Sequence, residues 1–226
     1  MYDNPGMPGT PEPIIILDGD LASLVALACA SDEAVSIGSG RTPGPCAIAW
    51  IPSMFGDSQR DRSGACDRQI ALYNARRLSK SEIDETFVVP QNRPAETPML
   101  MAALAHAAAQ GSSRVVWPAH PGRPEDEAAI NLDLASSIID RSLLVEQLAR
   151  LDAGPEASGA TIETPHADLT DRQLAELAAD LSVPVKTLWW WGGQSDEAQR
   201  QRDRWLGLFR ETGLWKPAET VVSGRA

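Results

Sequence analysis

Cysteine is scarce and basic residues are outnumbered in this chain of 226 residues. The three cysteines stand far apart with no CxxC spacing, which argues against both a disulfide framework and a thiolate zinc site. Cys29 and Cys46 lie among apolar residues and are predicted to be buried core thiols. The 20 Lys and Arg residues stand against 31 Asp and Glu, a net charge of −11. No nucleic-acid partner is expected, because affinity for a phosphate backbone depends on basic side chains that displace counterions.

Long apolar runs and several common site motifs are also absent. No stretch of 18 apolar residues occurs, so no membrane span is expected. The first 13 residues are rich in Pro and Gly and lack the basic and apolar regions of a signal peptide. This favours a cytoplasmic protein with a flexible N-terminal arm over residues 1–13. The sequence contains no GxSxG, Walker A or GxGxxG pattern, which argues against an α/β-hydrolase, a P-loop protein and a Rossmann protein.

Short apolar runs alternate with helical patterns along the rest of the chain. One predicted strand begins at Ile14, and four more span Cys46–Ile51, Thr86–Pro90, Arg114–Trp117 and Thr161–Thr164. Strands that alternate with helices predict a parallel sheet covered on both faces. The expected fold is therefore α/β, a doubly wound parallel five-stranded sheet over residues 14–186, followed by a helical, Trp-rich segment over residues 187–226.

Helix signals fill the intervals between these strands. A helix is expected after the first strand, with Thr97 as the cap of a later helix and Asp168 or Thr170 as the cap of another. The predicted helical ranges after the first are Asp61–Leu78, Met99–Ala109, Ala128–Leu151, Asp171–Leu181 and the tail Trp189–Thr212 after the Gly192-Gly193 break. Within the fourth helix, apolar residues recur at helical spacing: Leu132, Ile138, Ile139, Leu143, Leu144 and Leu148.

Ligands of such sheets bind beyond the carboxyl ends of the strands, here near residues 18–23, 52–60 and 118–126. His120 and His166 follow the fourth and fifth predicted strands and are site candidates. His106 lies in an Ala/Leu-rich helix and is interpreted as a surface or hydrogen-bonded histidine. Because no partner at a fixed spacing marks a triad or a metal site, no catalytic residue is assigned.

The stretch from Ile14 to Leu27 has the strand-turn-helix form that brings backbone N–H groups to a phosphate. Its turn, Asp18-Gly19-Asp20-Leu21-Ala22-Ser23, resembles the Ser-Gly-Gly-x-Asp-Ser loop of the 7-cyano-7-deazaguanine synthase (QueC) family, a branch of the PP-loop ATP pyrophosphatases. Gly56-Asp57-Ser58-Gln59-Arg60 stands where that family has a Tyr-Gly-Gln-Arg-like turn, and Thr161 to Asp171 is similar to its late-strand signature. The resemblance covers nearly the full length of the chain.

The resemblance implies a PP-loop fold, also called adenine nucleotide alpha hydrolase-like (HUP-like), in which the loop cradles ATP and the substrate of queuosine biosynthesis is activated as an adenylate. It also implies a nucleotide-binding role for Asp18, Gly19, Asp20 and Ser23. The closing segment keeps the family's frame, from Thr187 through Gly192-Gly193 to Gly213. None of the family's four zinc-binding cysteines is present there, so no zinc is expected.

Asp18 and Asp20 place negative charge where the family holds a triphosphate. A carboxylate about 4 Å from a phosphate oxygen is unfavourable by roughly 4 kcal/mol at an effective dielectric near 20. This disfavours ordinary binding of ATP with Mg²⁺. One hypothesis is that the two carboxylates accept the loop's own N–H groups, so that the anion site is filled from within. Two alternatives are that one carboxylate caps the helix while its neighbour is solvated, which is preferred, and that the pair holds Mg²⁺ as oxygen ligands.

Losing a structural zinc site removes folding free energy, and aromatic packing is the proposed replacement. The aromatic residues of this region are Trp189, Trp190, Trp191, Trp205, Phe209 and Trp215. Ordinary core or dimer-interface packing is the interpretation preferred over a base-stacking pocket. One tryptophan is expected at a subunit interface or in the cleft. The cleft candidates are therefore Gln59, Arg60, His120, Asp126, His166 and Trp190.

Two functions remain open at this point. The first is a non-catalytic or repurposed small-molecule or partner-binding protein with a degenerate ATP loop, expected as a homodimer. The second is an enzyme, either a nucleotide-dependent ligase of the 7-cyano-7-deazaguanine type or a Mg-dependent activity rebuilt around Asp18, Asp20 and Asp126. A purely structural homodimer with the Trp-rich end as its interface is a third interpretation.

Overall fold

A computed structural model of the chain describes residues 12–37, 44–53, 55–79, 96–122, 129–153 and 159–216. Within them, five parallel strands form one sheet in the order β3-β2-β1-β4-β5. The strands are β1 (Ile14–Ile16), β2 (Ile48–Trp50), β3 (Arg76–Arg77), β4 (Arg114–Val116) and β5 (Thr161–Glu163). The register pairs Ile15 with Ala49 on one side and with Val116 on the other. The strand order reverses between β1 and β4, which defines the switch point of a doubly wound sheet.

Helices cover both faces of this sheet, as predicted. The helices are α1 (Leu21–Ile37), α2 (Gln59–Leu72), α3 (Glu96–Gln110), α4 (Leu132–Ala153), α5 (Asp171–Asp180) and α6 (Asp196–Glu211). Successive residues of a strand point to opposite faces. Ile14 and Ile16 accordingly pack with α3 and α4, while Ile15 and Leu17 pack with α1 and α2. The sheet therefore forms the middle layer of an α/β/α core.

The Trp-rich segment packs against the α1 side of the core. Trp190 stacks on Phe209 with ring centroids 6.1 Å apart, and Trp205 stacks on the other side of Phe209 at 5.9 Å. Buried residues of α1 and α5 belong to the same apolar cluster, among them Leu24 and Leu174. Aromatic packing therefore joins the C-terminal segment to the α/β core.

Local signals set several of the helix ends. Thr170 caps α5 in a capping box with Gln173, since each side chain bonds the other's backbone N–H; Thr170 rather than Asp168 is thus the cap. Ser195 caps α6, which begins only at Asp196. The residues 189–195 that precede it are not helical, so the helical tail is shorter than predicted.

The edge strand β3 was not predicted from the sequence. The helix predicted over Asp61–Leu78 is wrong beyond Leu72, because the chain turns at Asn74, whose φ is +51°. The backbone N–H of Arg76 then donates to the carbonyl of Ala47 at 2.8 Å, which begins the strand. The strand predicted over 86–90 lies outside the described residues, as do most of the N-terminal arm and Asp126.

Three side-chain predictions also need correction. Cys29 is exposed, whereas Cys46 is buried as predicted; the helix stretch from Leu21 to Ala30 is almost wholly apolar, so its periodicity did not indicate an outer side. Thr97 lies inside α3 rather than at its cap. On α4 only one of the six recurring apolar residues, Ile138, is buried, and the inner face includes Ser142 and Glu146 instead.

None of the helices in the described ranges has the length and apolarity needed to cross a bilayer.

Candidate functional site

The turn between β1 and α1 is a tight loop built around Gly19. Gly19 has φ +78°, and a Cβ there would lie 3.1 Å from both the Cβ of Ala65 and the carbonyl oxygen of Arg62. Left-handed backbone and close packing against α2 both favour glycine at this position. The carbonyl of Asp20 accepts the N–H of Leu24 at 3.1 Å, which starts α1. The loop therefore presents the N-terminal end of α1 at the carboxyl edge of the sheet.

The two loop carboxylates accept the loop's own N–H groups. Asp18 Oδ1 accepts the N–H of Asp20 at 2.9 Å, and Asp20 Oδ1 accepts the N–H of Leu21 at 2.9 Å. Asp20 Oδ1 also accepts the indole N–H of Trp190 at 2.9 Å. Ser23 is fully buried, and its hydroxyl donates to the carbonyl of Asp20 at 2.9 Å. Two backbone N–H donors of the loop, those of Asp20 and Leu21, are thus engaged by side chains of the chain itself.

Arg62 of α2 ties the loop to the C-terminal segment. Its guanidinium donates to the carbonyl of Asp18 at 3.1 Å and to Glu197 at 3.0 Å. It lies 4.1 Å from the ring centroid of Trp189 and 5.0 Å from that of Phe55, distances typical of cation–π contacts. The backbone N–H of Trp189 in turn donates to the carbonyl of Gly19 at 3.1 Å. Arg62 is therefore committed to internal contacts.

The carboxyl group of Asp18 is a weaker acid than an ordinary aspartate. Burial is the main cause that raises the pKa of its carboxyl group, and the neighbouring charge of Asp20 raises it further. Arg62 opposes the shift, with Nη1 3.9 Å from Asp18 Oδ2. The Asp18 side chain remains 40% exposed, so it can meet a ligand.

A cavity of about 390 Å³ opens beside Asp18. It lies between the carboxyl ends of β1 and β4, the switch point where ligands of doubly wound sheets bind. Its polar or charged lining comprises Asp18, Glu96, His120, Ser137 and Arg141. The remaining wall is mostly apolar and includes Phe55, Met99, Trp117, Pro118 and Ile138. A mostly apolar cavity with a few convergent polar groups is typical of small-molecule sites.

His120 is buried on the wall of this cavity. Its side chain is 8% exposed, and its Nε2 lies 3.5 Å from Oδ1 of Asp171. Neither ring nitrogen makes a hydrogen bond within the described part of the chain. Asp171 instead accepts two hydrogen bonds from Arg204, at 2.7 and 2.5 Å. Burial, assisted by the charge of Arg204, lowers the pKa of His120 to about 4, so the ring is neutral at pH 7.

The other candidates from the sequence do not reach the cavity. His166 and Trp190 are 2% and 0% exposed and lie inside the core; burial lowers the pKa of His166 to about 4. The side-chain carbonyl of Gln59 accepts the N–H of Phe55 at 3.1 Å, a local bond at the start of α2. Arg60 is exposed and does not line the cavity.

Sequence reasoning did not find Glu96 and Arg141, which pair across the cavity mouth at 3.1 Å. They lie on α3 and α4, and the sequence offered no spacing that relates the two helices. Trp117 could have been found, because it directly follows β4 at the predicted ligand edge. Within the described ranges, no group of three His, Cys, Asp or Glu is placed to hold a metal ion.

This geometry defines a doubly wound parallel α/β protein with a small-molecule-sized cavity at its switch point. No protein-family model and no curated protein matches the chain. Among solved structures, it is similar to the U34-tRNA thiolase NcsA from Methanococcus maripaludis with its 4Fe-4S cluster. The two share 11% sequence identity with a TM-score of 0.47, over 96% of this chain and 77% of that one.

Proposed function

We propose that this chain is a PP-loop-type protein, distantly related to the QueC family, that has lost ordinary ATP binding and serves as a non-catalytic, repurposed small-molecule-binding protein. The observation that carries the proposal is that the loop's own carboxylates accept backbone N–H groups that could otherwise bind a phosphate. Asp18 and Asp20 each accept a backbone N–H of the loop at 2.9 Å. A triphosphate placed there would lose these donors and face two carboxylates.

Among the described residues, the basic side chain beside the loop is already committed, which supports the same conclusion. Phosphate sites depend on basic side chains or metal ions that offset negative charge. Arg62, the basic residue against the loop, contacts Glu197, Ser58 and the Asp18 carbonyl and lies over two aromatic rings. Moving it toward a phosphate would break those contacts.

The non-catalytic part of the proposal rests on the histidines. His120 and His166 are neutral at pH 7 because burial lowers the pKa of each to about 4. A general base works best with a pKa near the operating pH. His120 lines the cavity but is a weak base, and His166 lies in the core away from it. The mostly apolar lining with few polar groups is typical of a small-molecule site, and we assign the cavity a binding role.

Calorimetry with ATP and Mg²⁺ tests the loss of nucleotide binding. We expect no heat of binding up to millimolar ATP. The triple variant Asp18→Ser, Asp20→Gly, Ala22→Asp restores the family's loop residues, and we expect it to gain measurable ATP affinity. Asp203→Asn, an exposed change on α6, is the matched control. Micromolar binding by the natural chain would refute the proposal.

A second assay addresses the enzymatic alternative. The chain is incubated with ATP, 7-carboxy-7-deazaguanine and ammonia, and pyrophosphate release is followed. We expect none above the rate of a heat-denatured sample. Release that depends on all three reactants would establish a nucleotide-dependent synthase instead.

We also propose a homodimer in which α4 packs against α4 of a second copy. Seven large aliphatic side chains of α4 are between 41% and 78% exposed: Leu132, Leu134, Ile139, Leu143, Leu144, Leu148 and Leu151. They extend over about 29 Å at a rise of 1.5 Å per residue and are spread around more than half of the helix circumference at 3.6 residues per turn. Leu144, Leu148 and Leu151 lie on one side of the helix and can face a second copy together. Such a contact falls below the roughly 800 Å² per partner of a standard interface, so we expect a weak dimer.

A cytoplasmic location completes the proposal. All three cysteines are free, and Cys46 and Cys66 are buried. Unpaired thiols are typical of the reducing cytosol.

A further inference from the structure

We propose that the cavity beside Asp18 binds a small organic cation with a flat, amidinium-like head, an inference that rests on the small-molecule role proposed above. The observations that support it are the aromatic residues that line the cavity and its acidic side chains.

The walls favour a flat, largely apolar ligand body. Phe55, Trp117 and Met99 line the cavity together with three prolines and Ile138. Aromatic faces attract cations because the ring quadrupole places negative potential above the ring. A flat aromatic cation therefore gains apolar burial against this wall, where the ring of Phe55 already attracts one cation, Arg62, at 5.0 Å.

The charges on the cavity wall favour a cation over an anion. Asp18 and Glu96 are its acidic residues, and Arg141 is the basic residue that lines it within the described ranges. Arg141 is already paired with Glu96 at 3.1 Å and donates to the hydroxyl of Thr97 at 3.1 Å. An anionic ligand would have to break that pair, whereas a cation can approach Asp18 directly.

The net charge around the cavity stays negative when the charged groups behind its wall are counted. Asp20 lies beside Asp18, and Arg62 is shared between Asp18 and Glu197. Behind His120, Asp171 is paired with Arg204. Counting Glu96 and Arg141, five carboxylates and three guanidinium groups surround the cavity. The excess carboxylate charge is centred on Asp18 and Asp20.

Oδ2 of Asp18 is positioned to receive the cation. Oδ1 already accepts the N–H of Asp20, while the nearest ion-pair contact of Oδ2 is Arg62 at 3.9 Å, longer than a hydrogen bond. A charged N–H donor in the cavity would give Oδ2 a closer, charge-assisted partner than Arg62.

His120 adds no positive charge to the cavity wall. Burial lowers its pKa to about 4, so the ring is neutral at pH 7. The ring packs edge-on against Trp205 with centroids 6.1 Å apart, and both of its nitrogens are buried. An amidinium carries several N–H donors on one planar head, so it can bond the Asp18 carboxylate while its flat body lies against the apolar wall.

A charge series tests the proposal on the unmodified protein. Benzamidine, benzamide and benzoate have closely similar shapes and carry charges of +1, 0 and −1 at pH 7.5. Their affinities are measured by calorimetry and by ligand-observed NMR. We expect benzamidine to bind at least tenfold more tightly than benzamide and benzoate to show no binding. Equal affinity for the first two, or tighter binding of benzoate, would overturn the proposal.

A conservative variant tests the site. Asp18→Asn keeps an oxygen that can accept the N–H of Asp20 but removes the charge, and we expect it to weaken benzamidine binding at least tenfold. Asp203→Asn, the matched change on α6, is expected to leave the affinity within twofold. Unchanged benzamidine affinity in folded Asp18→Asn would place the ligand elsewhere and refute the site. If Asp18→Asn fails to fold, Glu96→Gln is measured instead, with an expected loss of at least threefold.

The two proposals fail separately. Micromolar ATP binding would refute the proposed function whatever the benzamidine series shows. Absence of ATP binding, combined with no preference for benzamidine, would refute the cation site and leave the proposed function standing.

Discussion

Trp190 and Asp20 are joined by a hydrogen bond of 2.9 Å between the indole N–H and carboxylate Oδ1, across 170 positions of sequence. The indole is fully buried and stacks on Phe209. The C-terminal segment is thus fastened to the loop that begins α1. A residue considered for the ligand cleft is in fact part of the structure that closes the loop.

Removing this hydrogen bond should destabilise the fold without opening a large cavity. Trp190→Phe keeps an aromatic ring but no N–H donor, and we expect a loss of about 1–2 kcal/mol in the free energy of unfolding. Urea denaturation measures it. Trp191→Phe is the control, because Trp191 is only partly buried and no hydrogen bond to Asp20 depends on it. A change in Trp190→Phe no larger than in the control would show that the bond adds nothing.

The conformation of Gly19 leads to a second stability prediction. Gly19→Ala forces an L side chain to φ +78° and places its Cβ 3.1 Å from Ala65 Cβ and the Arg62 carbonyl, so we expect a loss of about 2–3 kcal/mol. Gly207→Ala is the matched control, because Gly207 lies inside α6 with open space around its missing Cβ. There we expect a gain of about 0.5–1 kcal/mol. Equal effects at both positions would contradict this account of the loop.

Stability should fall as the pH is lowered through the range below 6.5. His120 and His166 have folded-state pKa values of about 4, against an ordinary value of 6.5. Between these values the unfolded chain binds more protons, so the free energy of unfolding rises with pH over this window. Each histidine leaves the free energy of unfolding unchanged above pH 6.5 and lowers it by on the order of 3 kcal/mol once the pH has fallen below 4.

Asp18 has the opposite effect on the pH dependence of stability. Its raised pKa means that the folded state holds a proton more tightly than the unfolded chain, so this carboxyl favours folding at low pH. Urea titrations from pH 4 to 8 should nevertheless show a net decline toward acid. His166→Gln should flatten the curve, with the exposed change Asp203→Asn as control. A curve for His166→Gln parallel to that of the natural chain would show that His166 is not held neutral.

Much of the sheet could be predicted from the sequence, because its strands are short apolar runs bounded by Pro and Gly. β1, β2, β4 and β5 all fall within their predicted ranges. The edge strand β3 could not be predicted, because Arg76 and Arg77 have no apolar pattern. They pair with β2 through backbone hydrogen bonds. A two-residue edge strand requires almost nothing of its side chains.

The candidate site was predictable in its loop and less so in its walls. The resemblance pointed to Asp18 and Asp20, and the hypothesis that they accept the loop's N–H groups agrees with the observed hydrogen bonds. Glu96 and Arg141 come together only because α3 packs on α4. Periodicity alone also gave the wrong inner face of α4, because Glu146 turns inward to accept the N–H of Ile162 at 2.6 Å.

The exposed aliphatic face of α4 should make self-association depend on concentration. Light scattering is expected to show a monomer at micromolar concentration and a rising mass toward the millimolar range. Leu148→Glu places charge within the face, where Leu148 is 51% exposed, and should abolish the increase. Val35→Glu, a change at a 75% exposed site on α1, is the control. A constant monomer mass for the natural chain would refute the proposed dimer.

Benzamidine affinity should weaken as the pH falls, because the ligand stays cationic while its receptor groups gain protons. Protonation of Asp18, whose pKa is raised by burial and by Asp20, removes the carboxylate that attracts the cation. Near pH 4 the protonation of His120 would add a repelling charge to the same wall. Affinity is therefore expected to be constant above the Asp18 pKa and to fall up to tenfold per pH unit below it, as measured by calorimetry between pH 5 and 8. In Asp18→Asn the benzamidine affinity should be low and independent of pH over that range. An affinity that stays constant or rises toward acid in the natural chain would contradict binding at the Asp18 carboxylate.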